Sequence, residues 1–412
     1  KVLKMNKFEK YSSYKDSGIE WLGEIPEHWE VLKIKQLFFE KKKKHDINLN
    51  CGAISYGEVV KKDDNRVPEE TKKSYQVVKS GDFLINPLNL NFDLVSLRIA
   101  LSEMDVVVSS GYIVLDTLTN VNINKRYFKW LLHRYDVAFM KTLGSGVRQT
   151  LNFPQIGKSE IVLPLQEEQT KIASFLDEKT AQIDEVISQK EKLIELLKER
   201  KQIVINDAVT KGLDKNVEMI DSDVEWIGKI PKHWEISKLG TSLKPISIKN
   251  RADLPLLSVT REQGVILRDV DDKESNHNFI PDDLSGYKMV EKGQFAMNKM
   301  KAWQGSYGIS DYTGIVSPAY FIFELNGIEP TFFHKAIRSS VYVPFFIKAS
   351  DGVRIGQWDL SKSRMKEIPF YIPPKDEQIK IVEYIENQTS KIDIAIELQQ
   401  NYISKLKEYK AS

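Results

Sequence analysis

The chain has 412 residues, 41% hydrophobic and 10% aromatic, which is enough apolar material for two to three packed domains and argues against wholesale disorder. Its formal charge of +2 names no polyanionic partner by itself, and a single cysteine, Cys51, excludes an internal disulfide and any cysteine-based metal cluster. Six histidines, at 28, 45, 133, 233, 277 and 334, form neither an HxxxH nor an HExxH pair, so no metal site is expected.

Residues 1–11 are basic and polar with no apolar core, so no secretory signal is read there, and Met5 is a candidate native start. No stretch approaches the ~18 continuous apolar residues of a membrane span, and a cytoplasmic protein is expected. Residues 1–165 lean basic, with 25 Lys and Arg against 20 Asp and Glu, while the remaining segments are balanced or slightly acidic. Within this segment Lys41–Lys44 reads either as a phosphate patch, with Lys43 the candidate contact, or as a solvated loop. The β-branched and aromatic runs Asp105–Ser110, Tyr112–Leu115 and Ala319–Phe323 predict strands. Helices are predicted over Tyr127–Met140 and Pro330–Phe346.

The dominant feature is a repeat. Asp16-Ser-Gly-Ile-Glu-Trp-Leu-Gly-Glu-Ile-Pro-Glu-His-Trp-Glu30 returns as Asp221-Ser-Asp-Val-Glu-Trp-Ile-Gly-Lys-Ile-Pro-Lys-His-Trp-Glu235, identical at ten of fifteen positions. Further echoes follow in order: Lys79–Phe83 with Glu291–Phe295, Asn86 with Asn298, Ser109–Tyr112 with Ser317–Tyr320, Gly146–Arg148 with Gly352–Arg354, and Glu168-Gln169 with Glu377-Gln378. The fixed spacing of Trp21, Trp29, Trp226 and Trp234 with Pro26 and Pro231 reads as packing that anchors each domain to a helix, and His28 and His233 share that reading.

Each globular segment is followed by a long helix. From Glu167 to Ala208 there is neither Pro nor Gly, and Thr210-Lys211-Gly212 supplies a stop. Ile172, Leu176, Ile183, Val186, Leu193, Leu197 and Val204 set a candidate seam, answered in the second copy by Ile381, Ile385, Ile392, Ala395, Tyr402 and Leu406. An apolar stripe cannot be buried by one helix alone, so the two are expected to pair, with Lys190 fixing register. The expected architecture is α+β: a first domain at 1–165, a spacer helix at 166–212, a second domain at 213–374 and a second spacer helix at 375–412, the helices antiparallel and the halves related by a pseudo-twofold axis.

Two α/β domains, each opened by Trp-x-Gly-x-Ile-Pro-x-His-Trp and closed by a Pro…Glu-Gln-x-x-Ile helix, resemble the specificity subunit of type I restriction-modification systems, over about Tyr14 to Lys410. The resemblance implies two target recognition domains, each reading half of a split DNA site, and helices that act as spacer and as dock for two methyltransferase subunits. It also implies ATP-dependent restriction subunits in the full complex. S-adenosylmethionine and ATP would belong to those partners, and no cofactor is expected in this chain. Readers at opposite ends of a helical pair suit half-sites about one turn of DNA, ~34 Å, apart.

Candidate DNA contacts fall in two segments of each half. The loop 144–149 places Arg148 and Gln149 beside glycine, and its echo carries Arg354 and Gln357; arginine bridges guanine O6 and N7 or clamps phosphate, and the competing reading is a plain turn. Asn86 and Asn89 in the first half correspond to Asn298, Lys299, Lys301 and Gln304 in the second; amides read adenine and lysines hold phosphate, against a strand end with a core Trp303. Enzymatic readings fail on motif grounds. Asn86-Pro87-Leu88 and Ile372-Pro373-Pro374 lack parts of an adenine-methyltransferase signature, no Walker A sequence is present, and Pro281-Asp282 has no downstream acid-x-Lys partner. The remaining alternatives are a helical scaffold that recruits proteins without reading DNA, and the recognition half of a split type IIG-like enzyme.

Overall fold

The computed structural model describes residues 10–88, 97–143, 150–269, 280–352 and 358–411. The chain divides into two compact units, Lys1–Val186 with Leu406–Ser412, and Ile187–Lys405.

In the first unit the repeated motif opens as a small antiparallel hairpin, Tyr14–Asp16 against Glu24–Pro26. Its turn explains the conserved spelling of the two copies. Asp16 Oδ1 accepts the Gly18 N–H at 2.9 Å, and Gly18 and Gly23 both take a left-handed backbone, φ +69°. The motif then runs into strand Glu30–Lys33, which pairs with Glu160–Leu163, the strand leading into the long helix. Motif and helix therefore meet in one ladder, although they lie far apart in sequence.

The body of the unit is a six-stranded sheet in the order Phe38–Glu40, Ile113–Thr117, Phe83–Ile85, Ile99–Leu101, Glu58–Lys61, Gly52–Ser55. Helix α1, Lys125–Ala138, is capped by the Asn124 side chain and packs Phe128, Leu131, Leu132 and Tyr135 into the core beside Phe38 and Phe83. The tryptophan of the hairpin, Trp21, sits against the Tyr135 ring at 6.0 Å.

The second unit repeats the plan. Met219–Asp221 pairs with Lys229–Pro231, and Glu235–Lys238 pairs with Pro369–Ile372. The central order is Leu243–Ile246, Phe321–Leu325, Phe295–Met297, Tyr307–Ile309, matching four of the six strands of the first sheet. Asp223, φ +58°, stands where the first copy has Gly18, and Asp221 Oδ1 caps its N–H at 2.9 Å. The single helix expected over Pro330–Phe346 is two, Pro330–Ile337 and Val343–Lys348, with the break at Arg338 to Tyr342. The break lets Phe332, Phe333, Tyr342 and Phe346 all reach one aromatic core, each fully buried.

Helix α2 spans Gln166–Lys211 and helix α4 spans Lys375–Ala411; α3 is the helix Pro330–Ile337. At ~1.5 Å per residue α2 is roughly 70 Å long. In the second unit α2 and α4 run antiparallel: Lys190 Nζ donates to Gln399 Oε1 at 2.8 Å, and Lys201 Nζ reaches Asp393 at 2.7 Å. In the first unit Asp184 is paired with Lys410 at 2.7 Å. The seam departs from the expected frame in two places. Ile194 is 7% exposed while Leu193 is 42% exposed, and Ile403 is 8% exposed while Tyr402 is 50% exposed. Lys190 accounts for the shift at Tyr402: its ammonium lies 4.2 Å above the Tyr402 ring, which holds the ring at the rim and turns Ile403 inward.

Candidate nucleic-acid interface

Strand Phe83–Ile85 of the first unit ends at Asn86, whose N–H donates to Arg98 O at 2.8 Å and whose Oδ1 accepts the Leu88 N–H at 3.1 Å. Strand Phe295–Met297 ends the same way: Asn298 N–H donates to Ser306 O at 3.0 Å, and Oδ1 accepts the Met300 N–H at 3.1 Å. Both asparagines therefore make a side-chain turn that peels the chain away from the sheet edge. Asn298 also donates through Nδ2 to the Tyr320 hydroxyl at 3.0 Å, so both ends of its amide are engaged.

These turns lie beside the flanks of the second candidate segment in each unit. Leu88 forms an antiparallel bridge with Thr150, and Leu151 N–H donates to Pro87 O at 3.2 Å. In the second unit Leu360 N–H donates to Lys299 O at 3.0 Å, Lys299 Nζ pairs with Asp359 at 2.9 Å, and the Trp303 and Trp358 rings lie 5.2 Å apart. Asn86 with Lys43, and Asn298 with Lys299, Lys301 and Gln304, are thus placed, whereas Asn89, Arg148, Gln149, Arg354 and Gln357 lie outside the described residues. Lys301 is exposed and Gln304 half-buried on the same turn. In the lysine run Lys41 is tied to buried Asp82 at 2.7 Å and half-buried, whereas Lys42, Lys43 and Lys44 are exposed, Lys43 Nζ donating to Ser110 O at 2.8 Å.

The support beneath the Asn86 turn is charged and buried. Asp136, fully buried on α1, accepts Arg98 N–H at 2.5 Å and Arg98 Nε at 3.0 Å, which pins the strand Ile99–Leu101 to the helix. Burial pushes the Asp136 carboxyl up and the Arg98 guanidinium opposes that push. At the other end of each unit sits the Glu-Gln pair. Gln169, 2% exposed, donates to Pro164 O at 2.8 Å and accepts the Asn124 N–H at 2.9 Å. Gln378, also 2% exposed, donates to Pro373 O at 2.8 Å and accepts the Glu329 N–H at 2.9 Å. One glutamine thereby locks the start of the long helix to the start of the domain helix, α1 or α3. The sequence shows Glu-Gln as an echo, and the partners that give it meaning are backbone atoms that no motif reveals.

A geometry built twice on one chain is matched by what the chain resembles. Residues 26–196 match the family model described as the type I restriction modification DNA specificity domain. The first half of the chain is thus similar to the specificity domains of type I restriction-modification systems. The chain is also similar to the protein designated type I restriction enzyme MjaX specificity subunit in Methanocaldococcus jannaschii, 26% identical over 249 residues, 57% of this chain and 56% of that relative. The chain therefore spans little more than half the length of the curated relative it matches. The HsdS subunit from Thermoanaerobacter tengcongensis shares the fold at TM-score 0.53 and 14% identity, covering 94% of this chain and 95% of that one. A chain from a structure on complex assembly and conformational transition of the type I R-M system shares it at TM-score 0.63 and 13% identity, covering 94% and 96%. At such identities the likeness to solved structures is one of fold. No described helix of this chain is long and apolar enough to cross a membrane.

Proposed function

We propose that this chain is the sequence-specific DNA-reading subunit of a type I restriction-modification complex and does no chemistry itself. Its target recognition domains are 1–165 and 213–374, and its spacer helices are 166–212 and 375–412. Each domain reads half of a bipartite duplex target, and the helices dock two methyltransferase subunits, which use S-adenosylmethionine; ATP-dependent restriction subunits join them in the full complex.

The observation that carries this reading is the convergence, repeated in both units, of the turn after Asn86 with Thr150 and of the turn after Asn298 with Asp359 and Leu360. Each pairing brings an amide-rich turn against the flank of an arginine-bearing segment, the combination that base and phosphate contacts require. Docking of partners is supported by apolar residues left outside the seam of the second unit. Leu193, Leu196 and Ile203 on α2, and Ile394 and Leu398 on α4, are 42–60% exposed. In heptad terms these fall on one side of an antiparallel pair, where a further helix would cover them.

The test is to co-express the chain with its methyltransferase subunit and map methylated adenines across the host genome. A motif of two short specific halves with a fixed gap is expected. A stable complex that writes no motif would replace the DNA-reading assignment with a protein scaffold.

A further inference from the structure

In the second unit, four lysines from distant parts of the sequence surround the start of strand Phe321–Leu325. Lys288 Nζ donates to the Tyr320 carbonyl at 2.7 Å. Lys362 Nζ stands 5.7 Å from the Phe321 ring centroid and 5.8 Å from that of Phe323. Lys299 occupies the Asn298 turn, and Asn298 itself holds the Tyr320 hydroxyl. Lys249 follows Ile248, whose carbonyl accepts the N–H of Met289, the neighbour of Lys288. Burial holds the Lys288 ammonium below its usual range, and the charges of Lys249, Lys362 and Lys299 push it the same way. Of the four, Lys299 carries an ion pair, to Asp359.

The first unit identifies these residues as additions to the scaffold. Gln76 stands where Lys288 does: its strand pairs with Val106–Val108 as the Lys288 strand pairs with Gly314–Val316, and Gln76 Nε2 donates to the Tyr112 carbonyl at 2.6 Å. Pro87 follows Asn86 as Lys299 follows Asn298. Phe153 follows the helix cap Asn152 as Lys362 follows the cap Ser361. His45 follows Lys44, whose carbonyl accepts the Val77 N–H, as Lys249 follows Ile248. The fold is therefore complete without a single lysine at these four positions. Gathering like charges costs stability, so a neutral scaffold position made basic four times over calls for a polyanion.

We infer that Lys249, Lys288, Lys299 and Lys362 form a phosphate clamp for the backbone of duplex DNA, confined to the second domain. It deepens the DNA-reading proposal above by giving the two domains unequal electrostatic shares: the second grips the backbone through this cluster, while the first offers the exposed Lys42–Lys44.

The test is the salt dependence of binding by the full chain to two duplexes, one of mixed sequence and one carrying the mapped target. In K249Q/K288Q/K362Q, with Lys299 left in place, the slope of log affinity against log salt is expected to fall by about 0.9 for each lysine removed, equally on both duplexes. The ratio of specific to mixed-sequence affinity should hold, and K249R/K288R/K362R should restore the slope. An unchanged slope in a glutamine variant that melts like the parent overturns the clamp, as does loss of the ratio with the slope intact. A parent chain that binds both duplexes equally removes the DNA-reading proposal, while the slope comparison still decides the clamp.

Discussion

His233 Nε2 lies 2.8 Å from Glu377 Oε2, and Oε1 of the same carboxylate accepts the indole N–H of buried Trp234 at 3.2 Å. The first copy keeps half of this arrangement: His28 Nε2 is 3.0 Å from both oxygens of Glu168, while the Trp29 indole nitrogen is buried without a partner. The motif histidine thus reaches the opening turn of the long helix in each unit.

Glu377→Ala should consequently cost the second unit about 1–3 kcal/mol, because the buried Trp234 N–H loses its acceptor. Glu377→Gln retains an acceptor and should recover most of the loss. Urea unfolding followed by tryptophan fluorescence checks this, and equal midpoints for the alanine variant and the parent would discard the role.

A second expectation concerns pH. His334 Nδ1 accepts the Ile309 N–H at 3.1 Å, which requires the neutral ring, and burial first, then Arg338 and Lys335, lowers its pKa to about 4. A base with a depressed folded pKa leaves stability unaffected above the unfolded value of ~6.5 and erodes it as pH falls from there toward the folded value. Allowing for partial exposure, the loss across that window should be on the order of 2 kcal/mol. His334→Asn offers an oxygen that accepts without titrating, so the difference between variant and parent should shrink from pH 7 to 4.5 in thermal melts.

Under the proposed function, Arg148→Ala is expected to weaken recognition of one half-site and Arg354→Ala the other, by ~1–3 kcal/mol if each bridges a guanine. Methylation of half-site variants reads this directly, and no change from either substitution would remove both arginines from the interface.

Removing one heptad from each spacer helix, between Ile183 and Val204 on α2 and from the facing turns of α4, keeps the seam in register. At ~1.5 Å per residue the pair loses about 10 Å, or roughly three base pairs of DNA. The methylated motif should then show a correspondingly shorter gap, and an unchanged gap would mean that the helices do not set the spacing.

Much of this molecule is legible in its sequence because duplication is a long-range signal written locally. The hairpin spelling, the uninterrupted helix and the paired Asn86 and Asn298 all recur at near-constant offset, and the two asparagines make the same side-chain turn. The seam frame is less legible, since Leu193 and Ile194 are both apolar and periodicity alone does not choose between neighbours. The break between Ile337 and Val343 is hidden because Phe332 and Phe346 satisfy a helical pattern while being drawn to one core from two directions. Least legible is the cluster around Tyr320: Lys288 on a strand, Lys362 on a helix, and Lys249 and Lys299 in connecting segments meet only after the sheet has formed.

The pairing of Asp184 with Lys410 spans 226 positions, and Leu406–Ser412 belong to the same compact unit as the hairpin at Tyr14. During synthesis Asp184 therefore waits for Lys410 while everything from Ile187 to Lys405 emerges from the ribosome. Contacts of such separation form late and slowly. A nascent chain of this kind has reason to depend on a chaperone, or on an early-arriving partner helix, to shield the apolar stripe around Ile183 until residues 406–411 are made.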